Sequence, residues 1–123
     1  MIHLDTSFLI RALNVGTLED CKLREWISAG ETLSMSTVAW AEFLCGPLDQ
    51  SEIELAAQIV GQQSVFTPDH AAIAARLFNE SGRRRGSLLD CMIAAAALAE
   101  GAPIATMNVA DFRRFEDSGL TVV

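Results

Sequence analysis

The sequence predicts an α/β protein, a three-layer α/β/α sandwich with a short central parallel sheet. Short apolar segments rich in strand-forming residues alternate with helical patterns along the chain. Helix start and stop signals separate these segments, for example Thr17 before one pattern and Gly46-Pro47 after another. No internal repeat, low-complexity run or linker interrupts the alternation. We therefore assign a single domain, 1–123, which lies within the usual size range.

The expected elements follow from these signals in chain order. Strand candidates are residues 2–5, 32–35, 64–66, 103–106 and 120–123. Helix candidates are residues 8–13, 17–30, 38–45, 51–60, 68–82, 87–101 and 109–115. The segments at Thr17 and Ser51 resemble capping boxes, and Thr67-Pro68 places proline at a first helical position. Strands joined by helical crossovers form a parallel sheet, whose ligands bind beyond the carboxyl ends of its strands.

Composition restricts the classes of function. The chain has no apolar run long enough to cross a membrane, and its start lacks the features of a signal peptide, so we expect a cytoplasmic protein. Its three cysteines share no metal-binding spacing and predict reduced, mostly buried thiols. The net charge of −7 disfavours nucleic-acid binding, although a divalent metal would reverse the field of an acidic pocket.

Three carboxylates stand out as candidate site residues. Asp5 directly follows an apolar strand, and helix capping is the alternative explanation, although Thr6 or Ser7 could cap as well. Glu42 lies in an almost wholly apolar helix, which predicts cover on most sides unless the acid occupies an exposed stripe. Asp90 is the fourth residue of an S-x-x-D pair, so capping or the helix dipole could explain it.

Acids that converge at one sheet edge repel one another unless a cation is bound. Oxygen ligands of this kind suit Mg²⁺ or Mn²⁺, which activate water and polarise phosphodiesters. Other chemistries find little support, because His3 and His70 lack an evident partner set and no nucleophile elbow or P-loop is present. The carboxylates therefore favour metal-dependent phosphoryl transfer.

At this point the chain resembles the PIN-domain family, specifically the VapC-like toxins of type II toxin–antitoxin systems. Four segments carry the resemblance, in the family's order and spacing and over nearly the whole chain. They are the Asp5-Thr6-Ser7 start, the segment from Ser36 to Phe43 with Gly46, the segment from Gly86 to Ala97, and the segment from Ile104 to Phe112.

The resemblance implies a PIN-like fold and an Mg²⁺- or Mn²⁺-dependent endoribonuclease. It also implies a homodimer, and inhibition by a cognate antitoxin that covers the active site. Asp5, Glu42 and Asp90 match the family's acidic positions, and the resemblance places Thr106 in a supporting role at a strand end. Thr6 belongs to the first motif and is assigned a supporting role with it.

The fourth acidic position departs from the family's pattern. Asn108 stands where many relatives carry aspartate, and it is a neutral and weaker metal ligand. Asp111 follows shortly afterwards and is the alternative source of charge, unless it only serves the start of its helix. The sequence leaves both residues as candidates, Asn108 as a metal ligand and Asp111 as a catalytic acid.

The substrate remains open at this level. Arg83-Arg84-Arg85 concentrates positive charge and could steer the backbone of an RNA, such as a tRNA or another structured RNA, towards the acids, but a solvated loop explains it equally well. The acids do not separate RNA from DNA, so a DNA-directed or free-standing nuclease is one alternative. A non-catalytic interaction module with the same fold is the other, favoured by the acidic charge and by Asn108.

Overall fold

A short parallel sheet forms the centre of the computed structural model, which describes residues 1–123. Strand β1 (Ile2–Leu4) lies between β2 (Leu33–Ser34) and β3 (Ile104–Ala105), and both pairings are parallel. All residues of β1 are buried although successive side chains point to opposite faces, so both faces of the sheet are covered. This confirms the α/β class and the layered arrangement.

Seven α-helices and one 3₁₀ turn surround the sheet. The helices are α1 (Thr6–Ala12), α2 (Leu18–Ser28), α3 (Thr37–Leu44), α4 (Gln50–Val60), α5 (Pro68–Glu80), α6 (Leu88–Ala99) and α7 (Val109–Arg113), and the 3₁₀ turn is Glu116–Ser118. Every helix expected from the sequence is present, with ends moved by one to a few residues. None of them has both the length and the apolar character that crossing a membrane requires.

Helix α6 is the central helix of the core and packs along α5. Cys91 and the segment 93–97 are buried, and four of those five positions are alanine. Small side chains let the helix approach its neighbours closely, and burial of this face holds α6 in place. The backbone of the first turn of α6 is therefore held in place, and so are the starting points of the side chains on it.

Two of the expected strands are reduced to single bridges. Ser64 bridges Ser36 beside β2, and Val122 bridges Ile104 of β3. At the first bridge the backbone makes two hydrogen bonds, from Ser64 N to Met35 O and from Thr37 N to Ser64 O. The chain then turns away into α5, so strand pairing does not continue over 64–66. At 120–123 the pairing is limited to hydrogen bonds from Ile104 N to Thr121 O and from Val123 N to Ile104 O.

The helix caps expected at Thr17 and Thr67 are present, whereas the one expected at Ser51 is not. The hydroxyls of Thr17 and Thr67 each accept a hydrogen bond from the backbone N–H three residues later, that of Asp20 and of His70, as capping predicts. The box expected at Ser51 is wrong, because Asp49 caps α4 instead and the Ser51 hydroxyl donates to its carboxylate at 2.6 Å. The Asp49 carboxylate accepts from both the Ser51 hydroxyl and the Glu52 backbone N–H.

The cysteines also differ from expectation. Cys91 is buried, whereas Cys21 and Cys45 are exposed. The exposed pair lies on the outward faces of α2 and at the end of α3, where the small side chain meets solvent. The prediction of mostly buried thiols is therefore wrong for two of the three.

A polar network joins β1 to the end of α6 at a distance from the strand ends. His3 is almost fully buried, and its Nε2 lies 2.7 Å from Oε2 of Glu100. The Ser64 hydroxyl donates to the other Glu100 oxygen. Burial tends to raise the pKa of Glu100, but the bonds from Ser64 and His3 outweigh it and hold that pKa below its usual range.

We expect Glu100→Ala to destabilise the protein by about 1–3 kcal/mol near neutral pH, because it leaves the buried His3 nitrogen without a partner. The lowered pKa of Glu100 means that its contribution is present above its unfolded pKa and disappears as pH falls through the folded one. Urea unfolding at several pH values measures this. Glu25→Ala, at an exposed position on α2, is the control, and equal effects of both changes at neutral pH would contradict the expectation.

Candidate functional site

Asp5 is a buried carboxylate at the carboxyl end of β1, only 3% exposed. Its backbone N–H donates to Ala105 O at 2.9 Å, which ties it to the end of β3. Asp5 occupies the N-cap position of α1, but its side chain makes no capping bond. Helix capping, the alternative explanation of this residue, therefore does not account for its side chain.

Two hydroxyls hold the Asp5 carboxylate. Thr106 Oγ1 donates to Oδ2 of Asp5 at 2.7 Å, and Ser7 Oγ donates to the same oxygen at 2.8 Å. Both hydroxyls in turn accept backbone N–H groups at 3.0 Å, Ser7 from Met107 and Thr106 from Asn108. The carboxylate orientation is thus built into the loop that follows β3, and Oδ1 has no hydrogen bond in this set.

The supporting residues were only partly identified from the sequence. Thr106 contacts Asp5 as the resemblance implies, whereas Thr6 does not. The Thr6 hydroxyl donates to Ala39 O at 2.8 Å, so it fastens α1 to α3 and only indirectly stabilises the site. Ser7 takes the role expected of Thr6, because the helical turn that begins after Asp5 brings residue i+2 back towards the strand end.

Asp90 lies in the first turn of α6 with its side chain 28% exposed. The expected S-x-x-D capping box is absent, because the Ser87 hydroxyl donates to Arg84 O at 2.7 Å rather than capping the helix. Capping therefore does not explain Asp90 as a reciprocal partner of Ser87. The helix dipole still favours an acid at this position.

Neighbouring charges identify Asp90 as part of an acidic cluster. Burial raises the pKa of Asp90 to about 6, with further contributions from the charges of Asp5, Asp111 and Glu42. Arg114 opposes this rise, with its Nη2 4.0 Å from an Asp90 carboxylate oxygen. The sequence-predicted acids therefore share one electrostatic environment, with excess negative charge.

Glu42 is exposed on α3, which corrects the expectation that its helix is covered on most sides. Only Ala39 and Phe43 of that helix are buried, because a single face of α3 reaches the core. Glu42 lies in a shallow, mostly apolar depression. The depression is lined by Thr37, Val38, Ala41, Glu42, Cys45 and Leu89. The carboxylate thus faces solvent at the margin of the cluster.

The two candidates for the fourth acidic position differ in their surroundings. Asn108 is exposed, occupies the N-cap position of α7 and makes no side-chain capping bond. Asp111 lies one helical turn later, is partly buried and contributes directly to the raised pKa of Asp90. Asp111 is therefore the one of the two that shares the charge environment of the cluster.

A polar cleft opens beside Asp90, and no apolar residue lines it. Its lining residues are Arg84, Arg85, Gly86, Ser87, Asp90, Asp111 and Arg114. Arg83 of the predicted arginine run is not among them. Arg114 was not identified from the sequence, where the dipeptide Arg113-Arg114 has the appearance of an ordinary helix end. Only its fold-dependent proximity to Asp90 distinguishes it.

The donor set has the chemistry of a divalent-metal site without being preassembled as one. No three acidic, histidine or cysteine side chains lie together in a metal-binding arrangement. The pKa of Asp90 is raised first by burial and then by the nearby charges of Asp5, Asp111 and Glu42, so acidic side chains act on one another at this end of the sheet. The carboxylate oxygens are of the type that Mg²⁺ and Mn²⁺ prefer, and the residue types therefore fit such an ion although their present spacing does not form a site.

Comparison with known proteins shows the fold of VapC chains. VapBC2 from Rickettsia felis, bound to a DNA fragment from their promoter, matches with a TM-score of 0.78 at 22% identity, covering 100% of this chain and 98% of that chain. VapBC-1 from nontypeable Haemophilus influenzae matches with a TM-score of 0.70 at 24% identity, covering 100% and 97%. VapC20 from Mycobacterium tuberculosis, a Sarcin-Ricin loop cleaving toxin, matches with a TM-score of 0.68 at 17% identity, covering 98% and 97%.

The sequence itself gives the family. No curated protein sequence matches the chain significantly. A model of the PIN domain, however, matches residues 2–117, nearly the whole length. The matched range contains every acid of the cluster described above. The chain therefore belongs to the PIN-domain family.

Proposed function

We propose that this protein is the toxin of a type II toxin–antitoxin pair, a Mg²⁺- or Mn²⁺-dependent endoribonuclease. The observation that carries the proposal is the Asp5 carboxylate, buried at the strand end and oriented by Ser7 and Thr106. A carboxylate held in this way, with further acids beside it, is arranged to bind a cation rather than to stabilise the fold.

Asp5, Glu42 and Asp90 are the proposed metal ligands, each also assigned to catalysis. Asp5 is preoriented, Asp90 has its pKa raised to about 6 by burial and neighbouring acids, and Glu42 lies on the solvent side. When bound, Mg²⁺ or Mn²⁺ activates water for attack on a phosphodiester and stabilises the leaving oxygen. We assign the fourth acidic role to Asp111, and leave Asn108 at most a neutral ligand.

The protein's own residues prepare this chemistry. The Ser7 and Thr106 hydroxyls fix one oxygen of Asp5 and leave the other for the ion. Thr106 also binds the Asn108 N–H, which fixes the start of α7 and hence Asp111 relative to Asp5. Thus a few hydroxyl bonds determine the relative positions of acids that come from opposite ends of the chain.

The partners are inferred from the same relationship. VapC20 is named as a toxin that cleaves the Sarcin-Ricin loop, and the VapBC structures are toxin–antitoxin complexes, which supports an RNA substrate and a cognate antitoxin here. A homodimer and a cytoplasmic location accompany that proposal. A single folding domain over 1–123 agrees with the one core cluster of buried residues that extends from Ile2 to Leu120.

The direct test is cleavage of a structured RNA by the purified protein without antitoxin, with Mg²⁺, with Mn²⁺ or with EDTA. We expect cleavage only with a metal, and none of a DNA strand of the same sequence. Equal cleavage of RNA and DNA would indicate a DNA-directed or broader nuclease. No cleavage of either, together with no Mn²⁺ binding by calorimetry, would favour the non-catalytic interaction module.

A further inference from the structure

The polar cleft beside Asp90 concentrates positive charge in an acidic protein. Three of the nine basic residues, Arg84, Arg85 and Arg114, line it in a chain of net charge −7. Asp90 and Asp111 form the rest of its charged lining. The cleft therefore joins the acidic cluster directly, because arginines and two acids of that cluster line it together.

Arg114 is held in place more firmly than a surface arginine. Its Nε donates to Asp111 O at 2.7 Å, its guanidinium carbon lies 5.1 Å from the Phe115 ring centroid, and the side chain is only 16% exposed. These contacts restrict the side chain before any ligand arrives. An immobilised guanidinium loses little conformational freedom when it binds an anion.

The same guanidinium keeps donors that the protein does not use. Nη2 is 4.0 Å from the Asp90 carboxylate, beyond hydrogen-bond distance, and Nη1 is buried without a partner. A purely structural Arg–Asp pair would be expected to close to roughly 2.7–2.9 Å. Arg114 thus lies near Asp90 as a positive charge without forming a hydrogen bond with it.

The arginine run divides into two parts. Arg83 adopts a left-handed backbone conformation with φ 54°, its guanidinium lies 5.3 Å from the Phe78 ring centroid, and it donates to Asn79. Those contacts direct Arg83 onto α5. Arg84 and Arg85 are exposed and line the cleft instead, so only two members of the run face the acids.

We propose that this cleft binds a backbone phosphate of the RNA, next to the phosphodiester that is cut, with Arg114 as the fixed contact and Arg84 and Arg85 as mobile ones. The inference rests on the ribonuclease function proposed above and adds a substrate-binding residue, Arg114, to it. A guanidinium N–H forms a charge-assisted hydrogen bond with a phosphate oxygen, and Nη2 is the Arg114 nitrogen that is neither buried nor hydrogen-bonded within the protein. The cleft has no apolar or aromatic lining for a base or a peptide anchor, which favours a phosphate over either.

Phosphate binding is tested without knowing the RNA target, because such contacts are independent of sequence. The probe is a short fluorescein-labelled 2′-O-methyl RNA strand in Mg²⁺, kept intact as checked on gels, with anisotropy measured over a range of salt. We expect Arg114→Met to weaken binding about ten-fold and to reduce the slope of log K against log salt by about 0.7, the loss of one single-strand phosphate contact. Arg114→Lys should restore most of the slope but only part of the affinity, because lysine keeps the charge but loses the contacts that hold the guanidinium in place.

Arg113→Met is the matched control, a neighbour on the same segment whose side chain is 67% exposed, and it should leave both readouts unchanged. Arg85→Gln, in the exposed loop, supplies a second variant if Arg114→Met does not fold, and it should also lower the salt slope. In cleavage assays Arg114→Met and Arg85→Gln should raise KM more than they lower kcat, because they remove binding contacts.

Several outcomes would overturn the inference. A change in thermal stability or Mn²⁺ affinity of Arg114→Met with an unchanged salt slope would make Arg114 only a counter-ion of Asp90. Displacement of the probe by polyglutamate, with the same dependence on Arg114, would indicate a general site for acidic peptides. Cleavage by Arg114→Met at the wild-type rate and with normal KM would reject the phosphate-binding inference but keep the ribonuclease proposal. Probe binding that depends on Arg114, without any cleavage by the wild type, would keep phosphate binding and reject the ribonuclease proposal.

Discussion

Asp5→Asn is expected to abolish metal-dependent RNA cleavage, by at least about 100-fold, while leaving the fold unchanged. The substitution removes one negative charge and one strong metal ligand from the centre of the acidic cluster. Both supporting hydroxyls donate to the same carboxylate oxygen, Oδ2, so an asparagine oxygen in that position keeps both bonds. The loss of activity should therefore arise from charge and ligation, and not from unfolding.

The measurement is the rate of RNA cleavage at saturating Mg²⁺, together with Mn²⁺ affinity by calorimetry and the melting temperature. Asp69→Asn, on the exposed start of α5, is the control for charge removal and should retain full activity. Metal-dependent cleavage at the wild-type rate in Asp5→Asn would refute the assignment of the site. Thr106→Val should give a smaller loss, about 10–100-fold, and Thr106→Ser should recover most of it, because the hydroxyl that orients Asp5 is kept.

Asp90→Asn is expected to stabilise the metal-free protein at neutral pH although it removes activity. The pKa of Asp90 is raised from 3.8 to about 6, chiefly by burial and by the charge of Asp5. A rise of roughly two units corresponds to at most about 3 kcal/mol of unfavourable free energy when the group is ionised. The neutral amide avoids that cost, which is already net of the attraction to Arg114.

The pH dependence has a definite sign. Because the folded pKa of Asp90 lies above the unfolded one, the folded chain retains a proton that the unfolded chain releases between about pH 4 and pH 6. The contribution of this group to stability is greatest below that window and is lost as pH rises through about 6. The variant lacks this decline, so the two proteins should be close in stability at pH 4 and diverge by pH 7.

Urea unfolding of both proteins from pH 4 to pH 8, with and without Mg²⁺, measures these effects. Mg²⁺ should stabilise the wild type above pH 6, where Asp90 is ionised, and should stabilise Asp90→Asn much less. Asp117→Asn, on the exposed 3₁₀ turn, is the control and should not change the profile. A variant that is less stable than the wild type across the whole range would show that Asp90 supports the fold instead of carrying repulsion.

The sequence predicts the architecture well because local signals and periodicity determine it. Every expected helix is present, and the caps at Thr17 and Thr67 are as predicted. The errors lie where several local partners compete for the same bond. Asp49 displaces Ser51 as a cap, and the Ser87 hydroxyl binds a loop carbonyl instead of capping α6. Local pattern alone does not rank such competitors.

The sequence predicts the candidate site only in part. Asp5, Asp90 and Glu42 were found because acids are unusual in apolar surroundings, but the degree of burial was wrong for Glu42, since it depends on which face of α3 reaches the core. The sequence does not identify Ser7 as the residue that orients Asp5, because Thr6 and Ser7 both carry a hydroxyl group next to it. Only the direction of the first helical turn separates them.

By itself, the sequence determined the α/β class and the family and pointed to the candidate acids, because these depend on residue type, spacing and order along the chain. The tertiary structure alone decided which groups meet. It brings Thr106 to Asp5 across 101 positions of sequence, places Asp111 where its charge acts on Asp90, and sets Arg114 4.0 Å from an Asp90 oxygen. The physical reason is that hydrogen bonds, desolvation and Coulomb interactions act over a few ångströms, whereas the residues concerned are far apart in sequence.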